Sequence, residues 1–421
     1  MRRCRTSTPG LLACLVAALA CALPGIASAR ADEALGSEEC LACHDVEPTA
    51  EREADPVSLF VNAAQFHDSV HSAFDCTGCH SDVQTFPHEP APRKVACDTC
   101  HAEPASAHHQ SVHARAWKGE EHPACLECHG NPHGILPATD RRAPVYPLSL
   151  PRTCGRCHGD EELAKRWGIS EVYGLYIDSI HGFALTRGGL LVAATCSSCH
   201  GAHRILGTRD PESRIHRDHV PATCGSCHAG IEARYAEGVH GKAMHAGNGG
   251  APVCTDCHTV HQITRVEAAK WQMKTVATCG TCHEARLHTY RYTFHGQVST
   301  LGFVETARCW SCHGSHEILP GSDPRSLVAP QNLVTTCGQC HPGVTEGFVS
   351  YQPHPDPHDR ELNPGLYYAA LFMNGLLLSV LLFFGMHSIL WLVRSWSGRR
   401  GRRAAPPAEP PDDSPKEQAE T

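Results

Sequence analysis

The sequence has few of the residues that normally fill a protein core. Phe, Trp and Tyr account for 6% of its 421 residues, against 36 Gly and 30 Pro. A folded segment with so little bulky apolar material needs another source of apolar volume. No block of like charge stands out either, because the formal net charge of −8 is spread along the chain. That distribution argues against nucleic acid as a partner. No run of alternating apolar residues is long enough to make a sheet.

Long apolar runs are confined to the two ends. Arg2, Arg3 and Arg5 precede an apolar stretch from Leu11 to Leu23 and the small-residue stop Ala27-Ser28-Ala29, the pattern of a secretory signal peptide cut after Ala29. The stretch is shorter than the roughly 20 residues of a spanning helix, which disfavours an uncleaved anchor. Ala18-Leu19-Ala20 before Cys21 is a poor lipoprotein signal. From Leu366 to Val393 there is no Asp, Glu, Lys or Arg over 28 residues, enough for a tilted transmembrane helix. Arg394, Arg399, Arg400, Arg402 and Arg403 follow it and place the C-terminus in the cytoplasm. The expected organisation is a signal peptide over 1–29, a periplasmic domain over 30–364 and an inner-membrane helix over 365–393. A disordered cytoplasmic tail rich in Pro, Glu and Asp is expected over 394–421.

The cysteines supply the missing apolar volume. Of 25, three (Cys4, Cys14, Cys21) lie in the signal peptide, and the other 22 form eleven C-x-x-C pairs, each followed by His. They are Cys40/Cys43/His44, Cys76/Cys79/His80, Cys97/Cys100/His101, Cys125/Cys128/His129, Cys154/Cys157/His158 and Cys196/Cys199/His200. Then come Cys224/Cys227/His228, Cys254/Cys257/His258, Cys279/Cys282/His283, Cys309/Cys312/His313 and Cys337/Cys340/His341. Two thiols three positions apart can both reach the vinyl groups on one edge of a haem, while the adjacent imidazole turns to the iron as proximal ligand. Neither a zinc site nor a disulfide framework needs a His after every second Cys. The expected cofactor is therefore covalent haem c, eleven per chain.

Spacings of 21 to 42 residues between motifs follow a two-haem repeat. One member reads "TCGRCH", "TCGSCH", "TCGTCH" or "TCGQCH", ending at His158, His228, His283 and His341. The other is preceded by "DSIHG", "EGVHG" or "TFHG" and reads "CSSCHGAHRIL", "CTDCHTVHQI" or "CWSCHGSHEIL". "CLECHGNPHGIL" with "QSVH" fits more loosely, as does "DSVH". The repeat nominates second axial ligands upstream of the even-numbered motifs, at His71, His113, His181, His240 and His295. It nominates others just after them, at His133, His203, His261 and His316, with His88 as the counterpart in the first unit. An eleventh is open among His67, His354 and His358, and Met244 and Met273 do not recur in the repeat. Which His serves which iron is not legible from the sequence. Irons held by two imidazoles cannot bind a substrate and exchange electrons with little rearrangement.

The expected fold is mainly α with much loop: short helices carrying each motif around a haem-packed core, plus the C-terminal membrane helix. Over residues 38–345 the chain resembles the periplasmic multihaem c-type cytochromes of bacterial respiratory chains. Its "CHGxHxIL" and "SxHG" segments are similar to those of membrane-attached members. The resemblance implies a b-type cytochrome or other quinone-reactive membrane subunit as partner, with electrons passing between the quinone pool and periplasmic carriers. Unlike small quinol dehydrogenases of the NapC/NirT type, this chain has its anchor at the C-terminal side and more haem motifs. His387 lies within the membrane helix about two turns before the arginines, and intramembrane ionisable residues are functional candidates; Asn374 and Ser379 are candidates to face a partner helix. The alternative is a reductase or oxidase of a small nitrogen or sulfur compound, as in the octahaem tetrathionate reductase and hydroxylamine oxidoreductase groups that the chain distantly resembles. Such an enzyme needs one open iron, and no C-x-x-C-K variant marks one.

Overall fold

Short segments between haem motifs leave room for single helical turns, and that is what forms. The computed structural model describes residues 36–46, 59–85, 87–88, 91–116, 124–168 and 170–404, so the expected signal peptide lies outside the described residues. Among the described residues there are helices, turns and loops and no strand. Apart from Ala269–Gly280 (12 residues) and the C-terminal helix, the helices are three to nine residues long. The fold is thus mainly helical with much loop, as the sequence implies.

Two compact units divide the chain: residues 1–96 with 133–135, and residues 97–132 with 136–421. Odd and even motifs are built differently. Odd motifs from the fifth onward close a helix, as in Leu150–His158, Val220–Gly225, Ala269–Gly280 and Leu333–Gly338. In three of them the Thr before the first Cys anchors a preceding loop. Thr153 Oγ1 donates to Pro144 O (2.7 Å), Thr223 Oγ1 to Arg214 O (2.6 Å) and Thr336 Oγ1 to Leu327 O (2.7 Å). The ninth departs: Thr278 donates to Lys274 O (3.1 Å), since a helix replaces the loop.

Even motifs open a helix instead, at Cys196–His200, Cys254–His258 and Cys309–His313. The third residue of each motif reaches back to the N-cap amide: Ser198 Oγ accepts from Thr195 N (3.0 Å), Asp256 Oδ2 from Val253 N (2.7 Å) and Ser311 Oγ from Arg308 N (3.1 Å). The residue after the His must then turn with positive φ, which explains the "CHG" signature. Gly201 and Gly314 have φ 82° and 80°, and Thr259 takes the same place at φ 65°.

The protein alone builds a thin core. Its largest fully buried side chains are Leu185, Val253 and Pro151, followed by Ser111, Ser179, Ser213 and Ser326. The C-terminal helix, Pro364–Ala404, starts with Pro at a position where its missing N–H is harmless. Within its stretch from Pro364 to Arg399, 18 consecutive residues reach a mean hydropathy of 2.3, and the stretch is long and apolar enough to cross a membrane. Where the sequence suggests a disordered tail from residue 394, the helix instead runs on through the arginines to Ala404. Arginine is a good helix former, and the first helix breaker is Pro406.

Candidate haem-binding site

The motif histidines and the nominated histidines face each other across a constant gap. In the first unit His44 pairs with His88 (ring centroids 6.1 Å apart, interplanar angle 5°) and His80 with His133 (6.3 Å, 26°). In the second, His129 pairs with His203 (6.1 Å, 16°), His158 with His113 (6.1 Å, 66°), His200 with His261 (5.9 Å, 2°) and His228 with His181 (6.1 Å, 37°). There too His258 pairs with His316 (6.0 Å, 14°), His283 with His240 (6.1 Å, 35°), His313 with His354 (6.3 Å, 38°) and His341 with His295 (6.0 Å, 50°).

This geometry fits a haem between each pair. Two metal–imidazole bonds of about 2 Å plus the two ring radii span roughly 6 Å. Direct contact between rings would tie separation to orientation; here the separation holds while the angle runs from 2° to 66°. A rigid spacer with free rotation about its axis has that signature. Burial lowers the pKa of many of these imidazoles, His113, His158, His181, His258 and His313 among them, and takes His200 to about 4. They are therefore neutral at pH 7, as ligation requires. The other ring nitrogen is held by a hydrogen bond in two of them: His44 Nδ1 donates to Leu59 O (2.8 Å), and His354 Nδ1 meets Thr289 Oγ1 (3.2 Å). Arg308, 6% exposed, stacks its guanidinium over Trp310 (5.4 Å) and leaves Nε without a partner. A haem propionate suits that buried cation.

One backbone device places the nominated histidines. The residue before four of the five upstream His donates to the Ile two residues after a downstream His: Val70 N to Ile135 O (2.9 Å), and Val112 N to Ile205 O, Ile180 N to Ile263 O and Val239 N to Ile318 O (2.8 Å each). The "SxHG" segment ahead of an even motif thereby holds the "HxI" segment that delivers His133, His203, His261 or His316 to that same motif. Meanwhile His113, His181, His240 and His295 each face the histidine of the odd motif that comes next but one. Successive repeats are laced together, because each pairs its histidines with those of its neighbours. Residues 133–135 belong to the first unit for this reason.

Sequence reasoning missed a tyrosine that stiffens the device. Tyr176, Tyr235 and Tyr290 stand five residues before His181, His240 and His295. Their hydroxyls donate to Ala194 O (2.9 Å), Pro252 O (2.8 Å) and Ala307 O (2.9 Å), two residues ahead of the next first Cys. Burial holds all three phenols above their ordinary pKa. A Cβ on the Gly after each distal His (Gly182, Gly241, Gly296) would collide with the carbonyl oxygen of the same tyrosine. The recurrence of Tyr at this offset was the available signal.

The thiols run in sequence order. Cys40 is hydrogen-bonded to Cys76 and Cys125 to Cys97; the same bond joins Cys154 to Cys196, Cys224 to Cys254 and Cys279 to Cys309. Between these pairs, Cys128 is an electrostatic neighbour of Cys154, Cys199 of Cys224, Cys257 of Cys279 and Cys312 of Cys337. Each motif of the second unit, from the third to the tenth, is thus next to the motif that follows it.

Several motif cysteines lie at the surface of the polypeptide, where the edge of a haem can reach them. Cys43, Cys79, Cys97, Cys100, Cys125, Cys128, Cys227, Cys257, Cys282 and Cys340 are exposed, while the other motif cysteines are partly buried. Local structure explains the second thiols. Cys43 lies on Ser37–His44, a helix with no buried residue, and Cys79 and Cys100 end or follow turns of four and three residues that bury nothing. Cys227, Cys282 and Cys340 fall two residues past the helices that close at Gly225, Gly280 and Gly338. These three still neighbour Cys199, Cys257 and Cys312 electrostatically. His101 is likewise exposed: it follows the short turn Cys97–Thr99, caps the helix Ala102–His109 and has His129 as an electrostatic neighbour. Thioethers form at the edge of a haem, and a thiol at the polypeptide surface is open to that edge.

Of the candidates for the open ligand, the structure brings His354 to a motif histidine; His358 lies elsewhere and His67 packs against Phe66. His88, the least regular candidate, faces His44. His71 tilts against Phe74 (6.5 Å, 59°). Met273 is exposed, as is His387 on the C-terminal helix.

The chain is similar to the high-molecular-weight cytochrome c of Nitratidesulfovibrio vulgaris strain Hildenborough, at 20% identity over 336 residues that cover 66% of this chain and 52% of that protein. It spans about half the length of that relative. No protein-family model and no solved structure matches. The similarity supports a multihaem c-type cytochrome with covalent haem c and a role in electron transfer.

Proposed function

We propose that the chain is a membrane-anchored electron conduit of eleven covalent haems. It would pass electrons between a quinone-reactive membrane partner, such as a b-type cytochrome, and periplasmic redox carriers. One observation carries the reading: histidine pairs at a constant 5.9–6.3 Å stand on motifs whose thiols neighbour one another in sequence order. Haem c, when bound, supplies a one-electron iron couple. The cysteine pairs would hold it by thioethers, and the motif histidines would be its proximal ligands. The distal ligands would be His88, His133, His113, His203, His181, His261, His240, His316, His354 and His295, and the repeat leaves His71 as the candidate for the remaining iron. With both axial places filled by protein, no iron offers a position to a substrate, which favours conduction over catalysis. Thioether attachment belongs to the outer side of the inner membrane, in keeping with a signal peptide over 1–29, a periplasmic domain over 30–364 and an anchoring helix.

The test uses the full chain in detergent, reduced with dithionite. Mixing with an oxidised periplasmic c-type cytochrome should reoxidise all the haems within one mixing time course. Hydroxylamine, nitrite or tetrathionate should leave the spectrum unchanged. Rapid turnover with any of these three would overturn the conduit reading and favour the reductase.

A further inference from the structure

Two buried donors of the second unit have nothing to bond to. Trp271 Nε1 and Arg308 Nε are both buried and without a partner, and one aromatic stack joins them. The Trp271 ring lies flat against His258 (centroids 5.6 Å apart, 14°) and meets the Trp310 ring at 5.9 Å and 50°. Over Trp310, at 5.4 Å, lies the Arg308 guanidinium. Neither residue recurs in the repeat. Arg308 stands at the N-cap where the sixth and eighth motifs carry Thr195 and Val253. Trp271 lies in the first turn of Ala269–Gly280, the helix that replaces the loop found before other odd motifs.

Burying a guanidinium without a counter-charge is costly. A terminal nitrogen of Arg308 donates to Val304 O, which leaves the charge itself unanswered. Burial pushes the Arg308 pKa down, and among the described residues no protein carboxylate offsets it. An indole N–H beside a guanidinium N–H suits a carboxylate, which accepts at both oxygens. A haem carries such groups, its propionates, on the edge opposite its thioethers. The tenth haem would be attached through Cys309, next to Arg308, and the ninth through Cys279, which is hydrogen-bonded to Cys309. Both would turn their thioether edges to Arg308 and their propionates away. The eighth would sit between His258, on which Trp271 stacks, and His316, three residues beyond the tenth motif.

We propose, resting on the haem reading above, that Arg308 and Trp271 hold a propionate of the eighth haem and thereby set that haem's potential. A guanidinium beside the carboxylate cancels a negative charge that would otherwise favour ferric iron, so the eighth haem is more easily reduced with it than without. Both are positioning residues, acting on the iron through the carboxylate.

The test is a spectroelectrochemical titration of the full-length, haem-loaded chain in detergent. His316→Ala opens the eighth iron, whose high-spin spectrum then marks it among its low-spin neighbours. Adding Arg308→Leu to that parent should shift the marked haem toward ferric by more than about tenfold, a fall of about 59 mV for one electron. Arg308→Lys keeps the charge and should hold the potential near the parent's. Trp271→Phe keeps the ring against His258, removes the N–H, and should lower the potential by less than Arg308→Leu does. Haem content by pyridine haemochrome should stay constant throughout. A marked haem that does not move in Arg308→Leu or in Trp271→Phe overturns the proposal, as does an equal shift in Arg308→Lys, which would make the effect one of packing. Fewer than eleven haems in the unmodified chain would instead overturn the haem reading, and the proposal with it.

Discussion

Replacing His261 by Ala tests the lacing of the repeats most sharply. By sequence His261 belongs with the eighth motif, three residues after His258. By structure it faces His200 of the sixth, with ring centroids 5.9 Å apart and planes 2° from parallel. Removing its imidazole should leave Cys196 and Cys199 attached to their haem and open one axial position. One iron in eleven then becomes competent to bind carbon monoxide when reduced, converting about 9% of the Soret absorbance to the carbonyl form. Double variants identify the iron. His200→Ala with His261→Ala strips both ligands from one iron and should still give one carbonyl haem. His258→Ala with His261→Ala strips one ligand from each of two and should give two, after normalising to haem content by pyridine haemochrome. Reversed counts would refute the laced arrangement.

Other outcomes follow from the same geometry. Thr259 sits at φ 65°, ψ −171°, a region that costs a side-chain-bearing residue about 1–3 kcal/mol. Thr259→Gly should therefore raise unfolding free energy by about 1 kcal/mol in denaturant melts, after the loss of the hydroxyl's bond to Gln262 O (2.8 Å). Gly241→Ala drives a methyl into the Tyr235 carbonyl; it should destabilise by about 2 kcal/mol and free the iron of His283, whereas Gly230→Ala, in open space, should do neither. Tyr235→Phe removes the bond to Pro252 O (2.8 Å) and should cost about 1 kcal/mol with haem content unchanged. Burial lowers the folded pKa of His200 to about 4 and of His158 and His258 below the ordinary value. Between about pH 6.5 and 4 the unfolded chain therefore binds more protons. In the haem-free polypeptide, stability should be full above pH 6.5 and fall as pH drops through that window, read by circular dichroism in an acid titration.

Much of this was legible in the sequence because covalent chemistry writes itself in fixed spacing. C-x-x-C-H nominates thioether and proximal residues without reference to the fold, and the repeat picked His181, His240 and His295, and His203, His261 and His316, which the structure sets opposite motif histidines. Their pairing was not legible, since it depends on backbone bonds such as Ile180 N to Ile263 O between segments more than eighty residues apart. Nor was the exposure of second thiols such as Cys227 and Cys282, which depends on where each helix stops. His354 escaped the repeat because no motif follows the eleventh to supply its usual "HxI" context. The continuation of the last helix to Ala404 was missed because composition was weighed over helix propensity.

The most direct test of the central claim is an optical spectrum of the purified, dithionite-reduced chain before and after carbon monoxide, with haem per chain counted by pyridine haemochrome. The account predicts eleven haems and no carbon monoxide shift. Fewer haems, or a shift equivalent to one haem or more in the unmodified protein, would contradict it.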